Sequence, residues 1–184
     1  MAGSIDLSGR LMRGERILWS GIPRQGILFT PQDSIKVPFS LAWGGFAIYW
    51  EIGVSTTNAP FFFRLFGIPF VLAGLFLMFG RFLLDARVRQ SVVYAVTTER
   101  ILIDRRGLFS SFTALPLVRL PDATLTESRD GRGTIRFGPS VPMWGSRSGW
   151  SGWMPSLDPT PQFLGIENAA SVFDLIQRTV RGPA

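Results

Sequence analysis

Two apolar stretches, Ile35–Val54 and Phe61–Leu84, stand almost back to back, with only Ser55–Pro60 between them. A helix needs about 20 mostly apolar residues to cross the hydrocarbon core of a bilayer. The first stretch is free of charge from Val37 to Trp50, and the second from Leu65 to Gly80. The link is too short to be a domain, so the pair reads as a helical hairpin. The competing reading is two helices buried in a soluble core. In a chain of 184 residues there is little polar sequence left to cover them. The sequence therefore predicts a membrane hairpin with spans near residues 35–54 and 61–84.

Composition narrows the chemistry. There is no cysteine and no histidine, which removes thiolate nucleophiles, the usual zinc ligands and the commonest general base. Lys36 is the sole lysine, and no phosphate loop, dinucleotide fingerprint or nucleophile elbow occurs. The expectation is a protein that is not an enzyme, with no cofactor, no metal and no small-molecule substrate.

The net charge of +6 is carried by arginine. Arg10, Arg13, Arg16, Arg24 and Lys36 precede the first stretch, Arg81, Arg87 and Arg89 follow the second, and the link has no charge. The positive-inside bias then places both termini in the cytoplasm. Met1–Arg16 lacks the apolar core of a cleavable signal peptide, so the N-terminus is expected to be retained. No basic stripe interleaves with aromatics as in a nucleic-acid surface, so the expected counter-charge is anionic lipid.

Within the hairpin, Thr30-Pro31-Gln32-Asp33 resembles a helix start, with threonine as cap and Asp33 at the positive helix end. Ser40, Gly44 and Ala47 line one side of the first helix, and Gly67 and Gly74 one side of the second. Small residues let helices approach closely, so these mark a seam, either inside the hairpin or with another subunit. Glu51 and Arg64 lie about equally far from the link, which puts them at one depth. An ion pair there would pin the register. A proton or ion step is the alternative, but no chain of polar residues continues it.

From Ser91 onward the pattern alternates. Ser91–Thr97, Arg100–Asp104 and Phe112–Leu120 read as strands. Leu125–Arg129 and 133–138 flank Asp130-Gly131-Arg132, a hairpin signal. Asn168–Val180 carries apolar residues at 169, 172, 175, 176 and 180, one face of an amphipathic helix. Strands followed by a closing helix predict an α+β membrane protein with a small antiparallel β-sandwich or partly open barrel. The expected divisions are a cytoplasmic lead-in (1–30), the transmembrane hairpin (31–88) and a cytoplasmic domain (89–184).

Three short segments carry a resemblance. Tyr94-Ala95-Val96-Thr97-Thr98-Glu99-Arg100 resembles the Y-x-V/L-T-x-x-R signature of bacterial pleckstrin-homology-like domains that follow membrane hairpins. Gly14-Glu15-Arg16-Ile17-Leu18-Trp19-Ser20-Gly21-Ile22-Pro23 is similar to the lead-in of the same group, and Phe163-Leu164-Gly165-Ile166-Glu167-Asn168 to its closing segment. More distantly, these segments are similar to those of assembly factors for purple-bacterial photosynthetic reaction centres. The resemblance implies a bacterial inner-membrane, multi-pass protein whose domain binds lipids, peptides or other subunits. Eukaryotic relatives that bind phosphoinositides use basic residues in the first β-hairpin. Arg100, Arg105 and Arg106 fall in that neighbourhood, and with Arg87 and Arg89 they form the expected headgroup-facing cluster.

The segment 139–161 is long for a loop and holds Trp144, Trp150 and Trp153 with Arg147 among them. These residues, with Trp19, are the expected partner or membrane contact. They could equally fold back on the sheet, dip into the bilayer interface or pack against another protein. The functional expectation is an accessory, assembly or scaffold subunit of a membrane protein complex or homo-oligomer. The alternatives are a tethered reader of anionic lipid and, less favoured, an oligomeric transport element.

Overall fold

The computed structural model describes residues 7–30, 32–57, 59–128, 130–139 and 153–181. Strand β1 (Ile17–Gly21) comes first, followed by helix α1 (Asp33–Thr56). The chain returns through α2 (Phe61–Leu75), a wide π-helical stretch (Phe76–Gly80) and α3 (Arg81–Arg89). These three run on as one helical rod, Phe61–Arg89. Strands β2 (Val92–Thr97), β3 (Arg100–Arg105), β4 (Ser111–Pro116), β5 (Ala123–Glu127), β6 (Arg132–Phe137) and β7 (Gln162–Glu167) follow, and α4 (Ala169–Arg181) closes the chain.

The strands form two antiparallel sheets, one ordered β1-β2-β3-β4 and the other β5-β6-β7. β1 pairs with β2 across the whole helical excursion, with Trp19 opposite Val96 and Gly21 opposite Tyr94. The helix pair is thus an insertion between the first two strands of one sheet. This corrects the expected lead-in of 1–30 and the domain start at 89. β1 escapes a pattern search because it is an edge strand with a register shift between Ile17 and Trp19, which breaks the period-two alternation.

The core lies between the sheets. Tyr94, Val96 and Ile101 from the first sheet meet Ile135, Phe137, Phe163 and Ile166 from the second, with Val172 and Ile176 of α4 sealing one side. Gly133 is needed for that closure, because a Cβ there would come within 2.7 Å of the Ala169 Cβ. The β5–β6 turn contains Gly131 at φ 73°, as its Asp-Gly sequence predicts.

α1 and the rod pack antiparallel. Ser40, Gly44 and Ala47 are buried on α1, as are Gly67 and Gly74 on α2. A Cβ on Gly74 would fall 2.8 Å from the Gly44 Cα, so the two backbones touch there. The rod is long and apolar enough to cross a membrane, and little of it is buried. α1 has 24 residues but falls short on composition, diluted by Lys36, Ser40, Glu51 and its glycines. Length and hydropathy therefore give one membrane-competent helix instead of the expected two.

The start of α1 also differs from expectation. Thr30 does not cap; it donates instead. Its backbone N–H and hydroxyl bond Asp33 Oδ2 at 2.7 and 2.8 Å. The first helical residue, Asp33, is the acceptor, and the residue before it, Gln32, makes no side-chain cap.

Candidate functional site

The densest polar chemistry lies where the helices meet the sheets. Arg81, Asp85 and Arg89 recur every fourth residue, which places them on one face of α3, and all three are buried. Asp85 Oδ2 accepts from Arg89 Nε at 2.8 Å, while its Oδ1 accepts from the Ser156 backbone N–H and hydroxyl at 3.0 and 2.7 Å. Arg89 also donates to the carbonyls of Arg24 and Gly26. One helix face therefore fastens the segment after β1 and the segment before β7.

A turn closer to α1, Arg81 Nη1 donates to Asp33 Oδ1 at 2.7 Å, with 2% and 8% of the two side chains exposed. Arg81 Nε reaches the Leu77 carbonyl within the π-helical stretch at 3.0 Å. Its Nη2 is buried and has no hydrogen-bond partner. Lys36, also buried, donates to Gln32 Oε1 at 2.6 Å. The Trp153 ring centre lies 5.5 Å from the Arg81 guanidinium and 5.9 Å from Lys36 Nζ, with the Phe39 ring centre 6.2 Å away. Trp153 thus folds back, onto the base of the helix pair and not onto a sheet. Trp144, Arg147 and Trp150 lie outside the described residues.

A third polar knot unites two of the resemblance segments. Glu15 accepts from Arg100 Nε and Nη2 (both 2.9 Å), from the Thr97 hydroxyl (2.7 Å) and from the Met12 backbone N–H (2.7 Å). The Arg100 hydrogen bonds hold the Glu15 carboxyl down at about 2, against an opposing desolvation by burial. Trp19 packs on Phe163, as does Tyr94, whose hydroxyl accepts from the Leu164 N–H. Burial pushes the Tyr94 hydroxyl well above its usual range. The signature residues are therefore structural here.

That corrects most of the expected headgroup cluster. Arg100 is spent on Glu15 and the Arg10 carbonyl, and Arg89 is fully buried. Arg105 donates to the carbonyls of Phe109 and Ser156, and Arg106 pairs with Asp104 at 2.9 Å. Arg87 alone of the five is exposed without a bond of this kind. Trp19, expected as a contact residue, is half-buried against the core and also lines the groove between β1 and α4. The Glu51–Arg64 ion pair does not form either. Arg64 donates to the Thr57 carbonyl at 3.1 Å, while Glu51 Oε2 is buried and unpartnered against Gly67.

A groove of about 1090 Å³ runs between β1 and α4, lined by Leu18, Arg24, Arg132, Glu167, Asp174 and Arg178 among others. Its charges are mixed and no nucleophile–base pair stands in it. No family model, no curated protein and no solved structure matches this chain. The Arg81–Asp85–Arg89 repeat was the overlooked signal: charges at four-residue spacing on a helix that continues an apolar run ask for buried partners.

Proposed function

We propose that this protein is a non-catalytic scaffold or assembly subunit of a membrane complex, anchored by its helix pair and presenting a pleckstrin-homology-like domain on the cytoplasmic side. The observation that carries the reading is the junction. The helices are inserted between β1 and β2, and α3 is bonded by Arg81 to α1, by Arg89 to the segment after β1 and by Asp85 to the segment before β7. A freely tethered sensor needs no such coupling; a subunit that must hold its domain at a set angle to the bilayer does. The four-plus-three strand arrangement with a closing helix supports the pleckstrin-homology-like assignment. The exposed aromatic flanks of both helices, with Phe46, Tyr49, Phe61 and Phe62 outward, support two spans in lipid or against partner helices.

A broad lipid-reading surface is disfavoured, since four of its five expected arginines are engaged within the fold. The test is gentle extraction from the native membrane followed by native mass spectrometry. A defined complex with other membrane proteins supports the reading. A chain that travels alone, or one released from membranes by salt without detergent, overturns it.

A further inference from the structure

We propose that the cavity between the first sheet and the segment leading into β7 is a small-molecule site for a single carboxylate, with Arg105 as the receiving cation. The cavity measures about 360 Å³ and lies between the inner face of β2, β3 and β4 and residues 155–162. Its chemistry follows from the strand register. Side chains two apart on a strand share a face, so Arg105 stands on the inner face with Ile101 and Ile103. Across the β3–β4 ladder, Ile101 is opposite Leu115, Ile103 opposite Thr113 and Arg105 opposite Ser111. A face that is apolar over the core thus turns polar at this end. Val92, Tyr94 and Ile103 give the cavity an apolar wall, while Arg105, Ser111, Thr113, Thr160 and Gln162 give it polar groups. That mixture and volume are those of a small-ligand pocket.

Arg105 makes no ion pair among the described residues. Its Nε and Nη1 donate to the carbonyls of Phe109 and Ser156, which take hydrogen bonds without neutralising the charge. A guanidinium carries five N–H donors, so others are left for a ligand. Burial pulls the Arg105 pKa below its usual range, as expected of a cation short of a counter-charge. The Ser111, Thr113 and Thr160 hydroxyls make no hydrogen bond among the described residues and are open to a ligand. Asp158 is the acid on these walls, and it already takes Arg136 at 3.4 Å and the Thr160 N–H at 2.9 Å. One cation with an acid nearby matches one negative charge. A carboxylate fits that balance; a doubly charged phosphate would meet repulsion from Asp158. The outer wall is fixed in advance, with Ser156 bonded to Asp85 and Gln162 to the Pro155 carbonyl, which lowers the ordering cost of binding. The cavity is partly open, and Ser111 and Pro159 are exposed along it. The site lies in the sheet domain and does not rest on the membrane reading.

The experiment titrates the full chain in nanodiscs by calorimetry, with empty nanodiscs subtracted. The carboxylate probes are lactate and p-hydroxybenzoate. The neutral p-hydroxybenzamide and the doubly charged p-hydroxyphenyl phosphate keep the ring and change the charge. One carboxylate bound per chain, with the amide and the phosphate at least about tenfold weaker than p-hydroxybenzoate, supports the site. Arg105→Gln should weaken the carboxylate by about tenfold or more. Should that variant fail to fold, Thr113→Val decides, with an expected loss of several-fold. Neither carboxylate binding at millimolar concentration overturns the proposal, as does an amide or phosphate that binds as well as the acid. Binding unchanged in the folded variant overturns it too.

Discussion

The two ends of the helix pair are held by different means. At the domain end, Asp33 and Arg81 meet at 2.7 Å in a dry environment, with carbonyls and hydroxyls satisfying the neighbouring groups. At the far end, Glu51 and Arg64 have opposite charge and comparable depth but do not meet. Beyond the domain end the helices are joined chiefly by contact, Gly44 against Gly74 midway and Glu51 against Gly67 nearer the link, and the Arg64–Thr57 hydrogen bond beside the link pairs no charges. Depth along an axis is one coordinate of a helical residue and rotation about it is the other. Gly67 faces α1; Arg64, three residues earlier, turns back toward the end of α1 and bonds the Thr57 carbonyl. An antiparallel register read from sequence supplies the first coordinate and leaves the second open.

The sharpest way to break this contrast is to remove one member of the dry pair. Asp33→Asn leaves Arg81 buried without its carboxylate and should cost about 3–5 kcal/mol. Reversible unfolding in mixed micelles measures it. A loss under about 1 kcal/mol would mean that the pair is solvated and that the two ends are alike.

Glu15 extends the comparison to the sheets. Its carboxyl is held at about 2, against 4.5 for the ordinary group. A lowered folded value means that this contribution is fully present above pH 4.5 and is lost as pH falls toward 2. It amounts to at most about 3 kcal/mol. The acid limb of stability should therefore flatten in Glu15→Gln, which starts less stable at neutral pH. Parallel acid limbs in the two proteins would refute the assignment.

Gly74 and Gly67 offer a smaller, paired test of the contact end. A Cβ on Gly74 meets the Gly44 backbone at 2.8 Å, which cannot move without parting the helices. Gly74→Ala should cost about 1–3 kcal/mol. A Cβ on Gly67 meets chiefly the Glu51 carboxylate and the edge of the Trp50 ring, of which the carboxylate can swing aside. Gly67→Ala should cost less than Gly74→Ala in the same micelles. The reverse order would show that Glu51 is fixed in place.

Much of this architecture was legible from residue pattern. Five strands and the closing helix follow from alternation, the Asp130-Gly131 turn and the spacing of Ala169, Val172 and Ile176. The burial of Ser40, Gly44, Ala47, Gly67 and Gly74 follows from side-chain size. The functions of the charged residues did not follow. Arg89 and Arg100 look the same in a sequence whether they face lipid or a buried acid, because the partner is distant in the chain: Glu15 lies on the far side of the helical insertion from Arg100. β1 is hard to read from sequence for the same reason, since its partner strand arrives only after the helices. Local periodicity records which face of an element is apolar; it does not record which long-range partner meets its polar groups.

The smallest expected effect is the most discriminating. If Glu51 and Arg64 were a pair, replacing both would cost less than the sum of the single replacements. The geometry has them apart, with Arg64 on a backbone carbonyl and Glu51 pressed on Gly67. A double-mutant cycle over Glu51→Gln and Arg64→Gln should therefore give a coupling within about 0.5 kcal/mol of zero. Glu51→Gln alone should change stability little, since the amide keeps the shape that fills the space beside Gly67. A coupling above about 1 kcal/mol would restore the ion pair, and with it the idea that charge and not contact sets the register at the far end.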